Sequence, residues 1–234
     1  MLVFIDELRW TKTRDIIPAD LNAFLYTNAK ILGEFCRKVS FFCLTLFAWG
    51  LGFASVIIRI ILILQTGQPN KAAEYENIAN KWREALNELL WDDQLGCWFD
   101  YDLIHKRLNT KFYPSNIVPL WAQAQESPAM VSKVVQYLKE STSLNYRGGI
   151  PSSLVHAGEQ WDFPNGWAPL QHLVVEALHN SGDEEAMSLA FDIAERWIDN
   201  NYKAFKQTTP SHMFEKVGFV LYIFCNYVCL SVDL

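Results

Sequence analysis

Apolar residues recur at three- and four-residue intervals along most of this chain, and that spacing commits it to helices. In APLQHLVVEALHNSG, Leu170, Leu173, Val174, Ala177 and Leu178 share one face, and Gly182 reads as the stop. DEEAMSLAFDIAERWIDNNY follows at once, acidic in its first turn as the helix dipole prefers. SPAMVSKVVQYLKE opens on Ser-Pro and turns Val131, Val134, Val135 and Leu138 inward. KAAEYENIANKWREALNELLW sets Ala79, Trp82, Leu86, Leu89 and Leu90 on one side. In DLNAFLYTNAKILGEF, Asp20 reads as the N-cap, Leu21, Phe24, Leu25, Leu32 and Phe35 fall at helical spacings, and Pro18 ends what precedes. Strand-like alternation is nearly absent. The class expected is all-α.

The connections are uneven. Some are a few residues long; others, such as WDDQLGCWFDYDLIHKRLNTKFYPSN and NYRGGIPSSLVHAGEQWDFPNG, are long, aromatic and rich in turn residues. Helix pairs with short turns at one end and long loops at the other suggest an α-toroid whose loops build a site, and a plain helical bundle is the alternative.

Composition narrows the ligands. Acidic residues outnumber basic ones, 26 to 20, for a net charge of −6, which argues against nucleic acid as a partner because phosphate binding needs a basic face. Nine Trp, nine Tyr and fifteen Phe suit a core or a cleft in which rings stack on sugars. The five cysteines show no zinc-type pairing, and Cys225 and Cys229 have no nearby histidine, so they read as free thiols and no metal is expected.

The densest loop is QWDFPNGW, residues 160–167. Pro164 fixes its own φ and extends Phe163, and Asn165-Gly166 permits a tight turn, so Trp161 and Trp167 lose freedom. A rigid indole can take the C–H face of a sugar while Gln160, Asp162 and Asn165 take hydroxyls. The competing reading makes both tryptophans core and Asp162 the cap of the helix starting near Trp167. Other loops repeat the composition with Trp98, Phe99, Tyr101, Phe112, Tyr113, Asn116, Trp121 and Tyr146. Sugar hydrolysis would need two carboxyl groups across the scissile bond. Asp92, Asp93, Asp100, Asp102, Glu159 and Asp162 are candidates, spacing selects no pair, and Asp92-Asp93 reads as a solvated turn.

Two segments differ from the rest. Val39–Ile58 holds twenty residues without a charge, flanked by Arg37 and Lys38, and the apolar run continues past Arg59 to Leu64. That length suits a membrane span. Residues 217–234 form a second apolar stretch. The first five residues are no secretory leader, because Asp6 and Glu7 interrupt them.

QWDFPNGWAPLQ resembles a signature of the trehalases, an inverting glycoside hydrolase family, through Gln160, Trp161, Asp162, Pro164, Gly166, Trp167, Ala168 and Pro169. DIIPADLNAFL, LWDDQLGCWFDYDL, FYPSNIVPLWA and GGIPSSL resemble trehalase segments in the same order. The resemblance covers residues 1–38 (from about residue 8) and 68–216. It implies an (α/α)6 toroid, here an incomplete half-ring, that hydrolyses α,α-trehalose to two glucoses without metal or organic cofactor. The implied sugar-binding residues are Gln160, Trp161, Asp162, Asn165 and Trp167. The family's general acid lies in a Gly-Trp-Asp segment and its general base in a Glu-Gly-Phe segment, and neither occurs here; Glu215 in MFEK is not that base. No catalytic residue is therefore assigned, and the chain by itself is expected to be inactive.

Residues 39–67 interrupt the resemblance and 217–234 depart from it. The insert reads either as a membrane-spanning helix over 39–64 or as translated intron: Val-Ser after Lys38 is encodable as a splice-donor-like GTAAGT, and Ile-Leu-Ile-Leu-Gln by a pyrimidine-rich tract closing in CAG. Localisation follows from that choice, at a membrane in the first case and secreted or cytoplasmic, as in the family, in the second. A non-catalytic, membrane-tethered sugar-binding or interaction protein is the alternative function.

Overall fold

Helices dominate the residues that the computed structural model describes, 13–48, 69–156, 161–211 and 216–218. They belong to two compact units, Leu21–Glu88 and the remainder.

In the first unit, α1 (Ala19–Ala48) and α2 (Pro69–Leu89) carry the expected periods. The stripe that α1 buries is Ala23, Tyr26, Ala29 and Gly33, whereas Leu21, Leu25, Leu32 and Phe35 stand exposed. Spacing identified an apolar face but not the face that packs, because small residues allow the closest helix approach. On α2, Ala72, Ala79 and Leu86 are buried and Leu89 is exposed. α1 runs on past the DLNAFLYTNAKILGEF stretch to Ala48. Residues 49–68 lie outside the described set, as do 219–234. Among the described residues no helix is long and apolar enough to cross a membrane.

The second unit begins with β1 (Ile16–Ile17) and the first turn of α1. Asp20 lies inside that turn rather than at its cap; the Ala19 N–H is taken instead by Asp100 Oδ1, 2.8 Å away. Three short antiparallel sheets were not legible as alternation. Strands β2 (Trp91–Asp92) and β3 (Cys97–Trp98) pair Trp91 with Trp98, while β4 (Asp100–Asp102) lies between β1 and β5 (Arg107–Asn109). The third joins β6 (Asn165–Trp167) to β7 (Lys216–Gly218). At two or three residues each, these strands are too short to show a period of two.

A 3-10 turn (Pro114–Ile117), α3 (Val118–Trp121), α4 (Pro128–Glu140), α5 (Ala168–His179) and α6 (Glu184–Gln207) complete this unit. Its core gathers Trp98, Phe99, Leu120, Leu138, Ile150 and Ile193. All four expected residues of α4 are buried. Gly182 ends the α5 turn with φ +78°, and the Asp183 carboxylate caps α6 by accepting the Ala186 N–H.

Two predictions arise here. Burial is the main influence on Asp100 and raises its carboxyl pKa, the Ala19 N–H opposes, and Asp20 adds to the rise. The folded chain therefore holds this proton more tightly than the unfolded one. The stability contributed by this group falls as pH rises from about 4 through the elevated value. Asp100→Asn keeps the acceptor and removes that slope, so urea melts of the two proteins should diverge across this interval; parallel curves would refute the assignment. Asp100→Ala, which loses the cap, should cost about 1 kcal/mol.

The second concerns α6, whose buried stripe is Ala186, Ala190 and Ile193 while Phe191 (72% exposed) and Ile198 (66%) face outward. Such a face promotes self-association. The double variant Phe191→Ser/Ile198→Ser should remain in solution at concentrations where the parent precipitates. Because both side chains are exposed, its stability should stay within about 0.5 kcal/mol per site.

Candidate functional site

The loops between α4 and α5 and the turn before α3 enclose a cleft of about 420 Å³. Tyr113, Ser152, Trp161, Asp162, Trp167 and Pro169 line it, and all come from the second unit.

The QWDFPNGW loop is pinned from behind by Ser153. Its fully buried hydroxyl donates to Asp162 Oδ1 at 2.8 Å and accepts the N–H groups of Val155 and Phe163 at 3.2 and 3.3 Å. Asn165 N–H closes a turn onto the Asp162 carbonyl at 3.0 Å, and the Phe163–Pro164 peptide is cis. Phe163 leans on Tyr146, ring centres 5.2 Å apart. Trp161 is left 41% exposed on the cleft wall.

Gln171 of α5 supports the other wall. It accepts the Ile150 N–H at 3.0 Å and donates its amide to the Ile150 carbonyl, so a buried side chain acts as a strand partner. The Ser152 N–H then pairs with the Asn165 carbonyl at 2.9 Å, tying the GGIPSSL segment to β6.

Three of the expected sugar residues, Trp161, Asp162 and Trp167, meet at the cleft. Asn165 is buried behind the wall, its backbone in β6, and is not among the lining residues. Gln160 and Glu159 lie outside the described residues. Asp162 does not cap α5, because the N-cap is Trp167 and no side chain fills that role. Several loop aromatics read as cleft-forming are core instead: Trp98 and Phe99 are wholly buried, and Phe112 nearly so.

The other carboxylates are held by structure. Asp92 accepts the amides of Gln94 and Leu95, and Asp93 pairs with Lys133 at 2.6 Å in an exposed turn, as expected. Asp102 accepts the His105 and Ile104 amides and contacts the His105 ring at 2.7 Å; these bonds, His105 first, hold its carboxyl down at about 2. Burial raises the Tyr113 phenol pKa, and the carboxylates of Asp162 and Asp100 push it further, so the phenol stays a donor at neutral pH. Among the described residues no three His, Cys, Asp or Glu side chains are grouped to hold a metal ion. Cys97 is a buried free thiol, its pKa raised by desolvation.

Ser152, Ser153 and the Gln171 clasp were not singled out from sequence. Their only signal was the unusual GGIPSSL run of small residues, which gives no indication of which hydroxyl faces inward.

A family model, "Trehalase", matches residues 5–221. The chain belongs to the trehalase family. It is 38% identical over 208 residues to the trehalase of Apis mellifera, covering 88% of this chain and 29% of that protein. Against the trehalase of Oryctolagus cuniculus it is 38% identical over 211 residues, covering 90% and 32%. The chain thus spans about a third of the length of the trehalases it matches. The neutral trehalase of Saccharomyces cerevisiae superposes with a TM-score of 0.65 at 23% identity, over 87% of this chain and 34% of that one. A mannosylglycerate hydrolase from Thermus thermophilus gives 0.53 at 16% identity, over 80% and 38%. These likenesses establish the fold class as that of the all-helical (α/α)6 toroid enzymes.

Proposed function

We propose that the cleft of this trehalase-family chain binds one glucose ring of α,α-trehalose, with Trp161 as its stacking platform. The observation that carries the reading is Trp161 itself, a tryptophan of the family signature left 41% exposed on a cleft beside Asp162. Ser153 holds the Asp162 carboxylate in place, and the Tyr113 phenol remains available as a donor.

The family reaction is inverting hydrolysis to two glucoses, which needs an acid to protonate the leaving oxygen and a base to activate water, about 6.5–9.5 Å apart. Within Met1–Leu234 neither the Gly-Trp-Asp nor the Glu-Gly-Phe segment occurs, and only Asp162 of the described candidates lines the cleft. The proposed role is therefore sugar binding by this chain, with hydrolysis dependent on carboxylates it does not itself carry. Calorimetric titration with trehalose and glucose, alongside a glucose-release assay, tests both parts. Binding without release is the expected result, release would overturn the assignment of roles, and no binding would overturn the site.

A second reading places the same sugar-binding unit at a membrane through residues 39–64, supported by the charge-free run from Val39 to Ile58. The domain plan proposed accordingly is a family-like portion over 1–38 and 68–216, the apolar insert 39–67 and the tail 217–234. Co-sedimentation with neutral phospholipid vesicles decides it: pelleting that persists after deletion of 39–67 would exclude the insert as the anchor.

A further inference from the structure

Helix α6 has a second apolar face besides the one that joins the core. Ala186, Ala190 and Ile193 are buried, and the helix packs on α5 and α4. On the other side Met187, Phe191, Ile198 and Tyr202 are exposed, with the half-buried Ala194 among them. Met187, Phe191, Ala194 and Ile198 alternate steps of four and three, the spacing by which one helix seats against another. The stripe is about 22 Å long at the usual rise per residue, and α6 lies wholly within the second unit.

This stripe reads nearly the same from either end. Turned end for end, Met187 stands opposite Tyr202 and Phe191 opposite Ile198, with Ala194 and Glu195 at the midpoint. A face that matches itself in reverse is what a two-fold pair requires.

The charges point the same way. Glu185 pairs with Lys139, Asp192 with Arg196 and Asp199 with Lys203. Among the described residues Glu184, Glu195 and Lys206 make no ion pair, and the Lys206 ammonium rests over the Tyr202 ring at 5.5 Å. These three recur every eleven residues, which is three turns, and so share one flank of the stripe. Glu184 and Lys206 stand about 33 Å apart along the axis, too far to meet within one helix.

We propose that α6 is the interface through which two copies of this chain associate, paired antiparallel along the stripe about a two-fold axis at Ala194–Glu195. The two-fold keeps like flanks together, so Glu184 comes within one residue of Lys206 of the partner subunit, twice per dimer. Opposed helix dipoles add to the attraction. Glu195 meets Glu195 of the partner subunit near the axis, one like-charge contact against two opposite ones. Burial of Phe191 and Ile198 supplies most of the driving force. A single pair of helices makes a small interface, so the dissociation constant is expected at about 10–100 μM.

Sedimentation velocity of the full chain across the micromolar range tests this. The parent should pass from monomer to dimer, and Phe191→Ser/Ile198→Ser should stay monomeric. Glu184→Lys and Lys206→Glu should each weaken the dimer about tenfold, because two opposite-charge contacts become like-charge ones. The double variant Glu184→Lys/Lys206→Glu restores opposite charges across the pair and should recover the parent's affinity. Both side chains are exposed, so melting temperatures should confirm that every variant is folded. A parent that is monomeric throughout overturns the proposal, as does a dimer that survives Phe191→Ser/Ile198→Ser. Association that grows past two copies without a dimer plateau excludes a closed two-fold pair. Single charge reversals without effect, or a double variant that does not recover, overturn the antiparallel register and the proposal with it.

Discussion

Trp161→Ala should weaken trehalose binding about thirtyfold, the loss of roughly 2 kcal/mol expected when a ring-sized apolar contact is removed from a binding site. Because Trp161 is already 41% exposed, its melting temperature should move by no more than about 2 °C. Trp98→Ala is the contrasting control. Trp98 is wholly buried and packs edge-on against Trp91 with ring centres 4.6 Å apart, so its truncation should cost about 3–5 kcal/mol of stability. Calorimetric titration and urea melts of both variants separate the two roles. If Trp161→Ala binds trehalose as the parent does, Trp161 is not the platform. If it instead unfolds like Trp98→Ala, the competing reading of Trp161 as core is correct.

The two tryptophans also mark where sequence reading ends. Both stand in long, aromatic, turn-rich loops, and residue type alone cannot separate a ring that fills a core from one that faces a cleft. What distinguishes them is tertiary: Cys97–Trp98 is a strand pressed under α4, whereas Trp161 lies on the cleft beside Asp162, whose carboxylate is held by a serine nine residues upstream. Periodicity served well for α4, where all four predicted residues are buried, because a helix lying on a core buries its apolar stripe. It failed for α1, where Leu21 and Phe35 are exposed and a stripe of Ala23, Tyr26, Ala29 and Gly33 is buried. The cap of α1 was equally hidden: Asp20 has the right local position, but the acceptor is Asp100, 81 residues away in sequence. In the site, the signature located Trp161, Asp162 and Trp167, since rigid turn chemistry is local. The Ser152, Ser153 and Gln171 contacts join separate segments and have no local signal.

Gly149→Ala should be a severely damaging single-methyl change in the second unit, at about 3–5 kcal/mol. Gly149 has φ +103°, a region costly for any residue with a Cβ. A methyl there would sit 2.5 Å from Gln171 Oε1, inside any permitted contact. Gln171 cannot yield cheaply, because it is buried and satisfies both the N–H and the carbonyl of Ile150, each worth about 1–3 kcal/mol if orphaned. Gly182→Ala isolates the backbone component. Its φ is +78°, yet a Cβ there meets nothing within 4 Å, so only about 1 kcal/mol is expected. Urea unfolding of the pair reads the difference directly, and equal losses would mean that the clasp contributes nothing. The same displacement reaches the cleft, because Ile150 stands two residues before Ser152 and Gln171 two residues after Pro169. Folded Gly149→Ala, measured below its melting temperature, should therefore also bind trehalose more weakly, whereas Gly182→Ala should bind as the parent does.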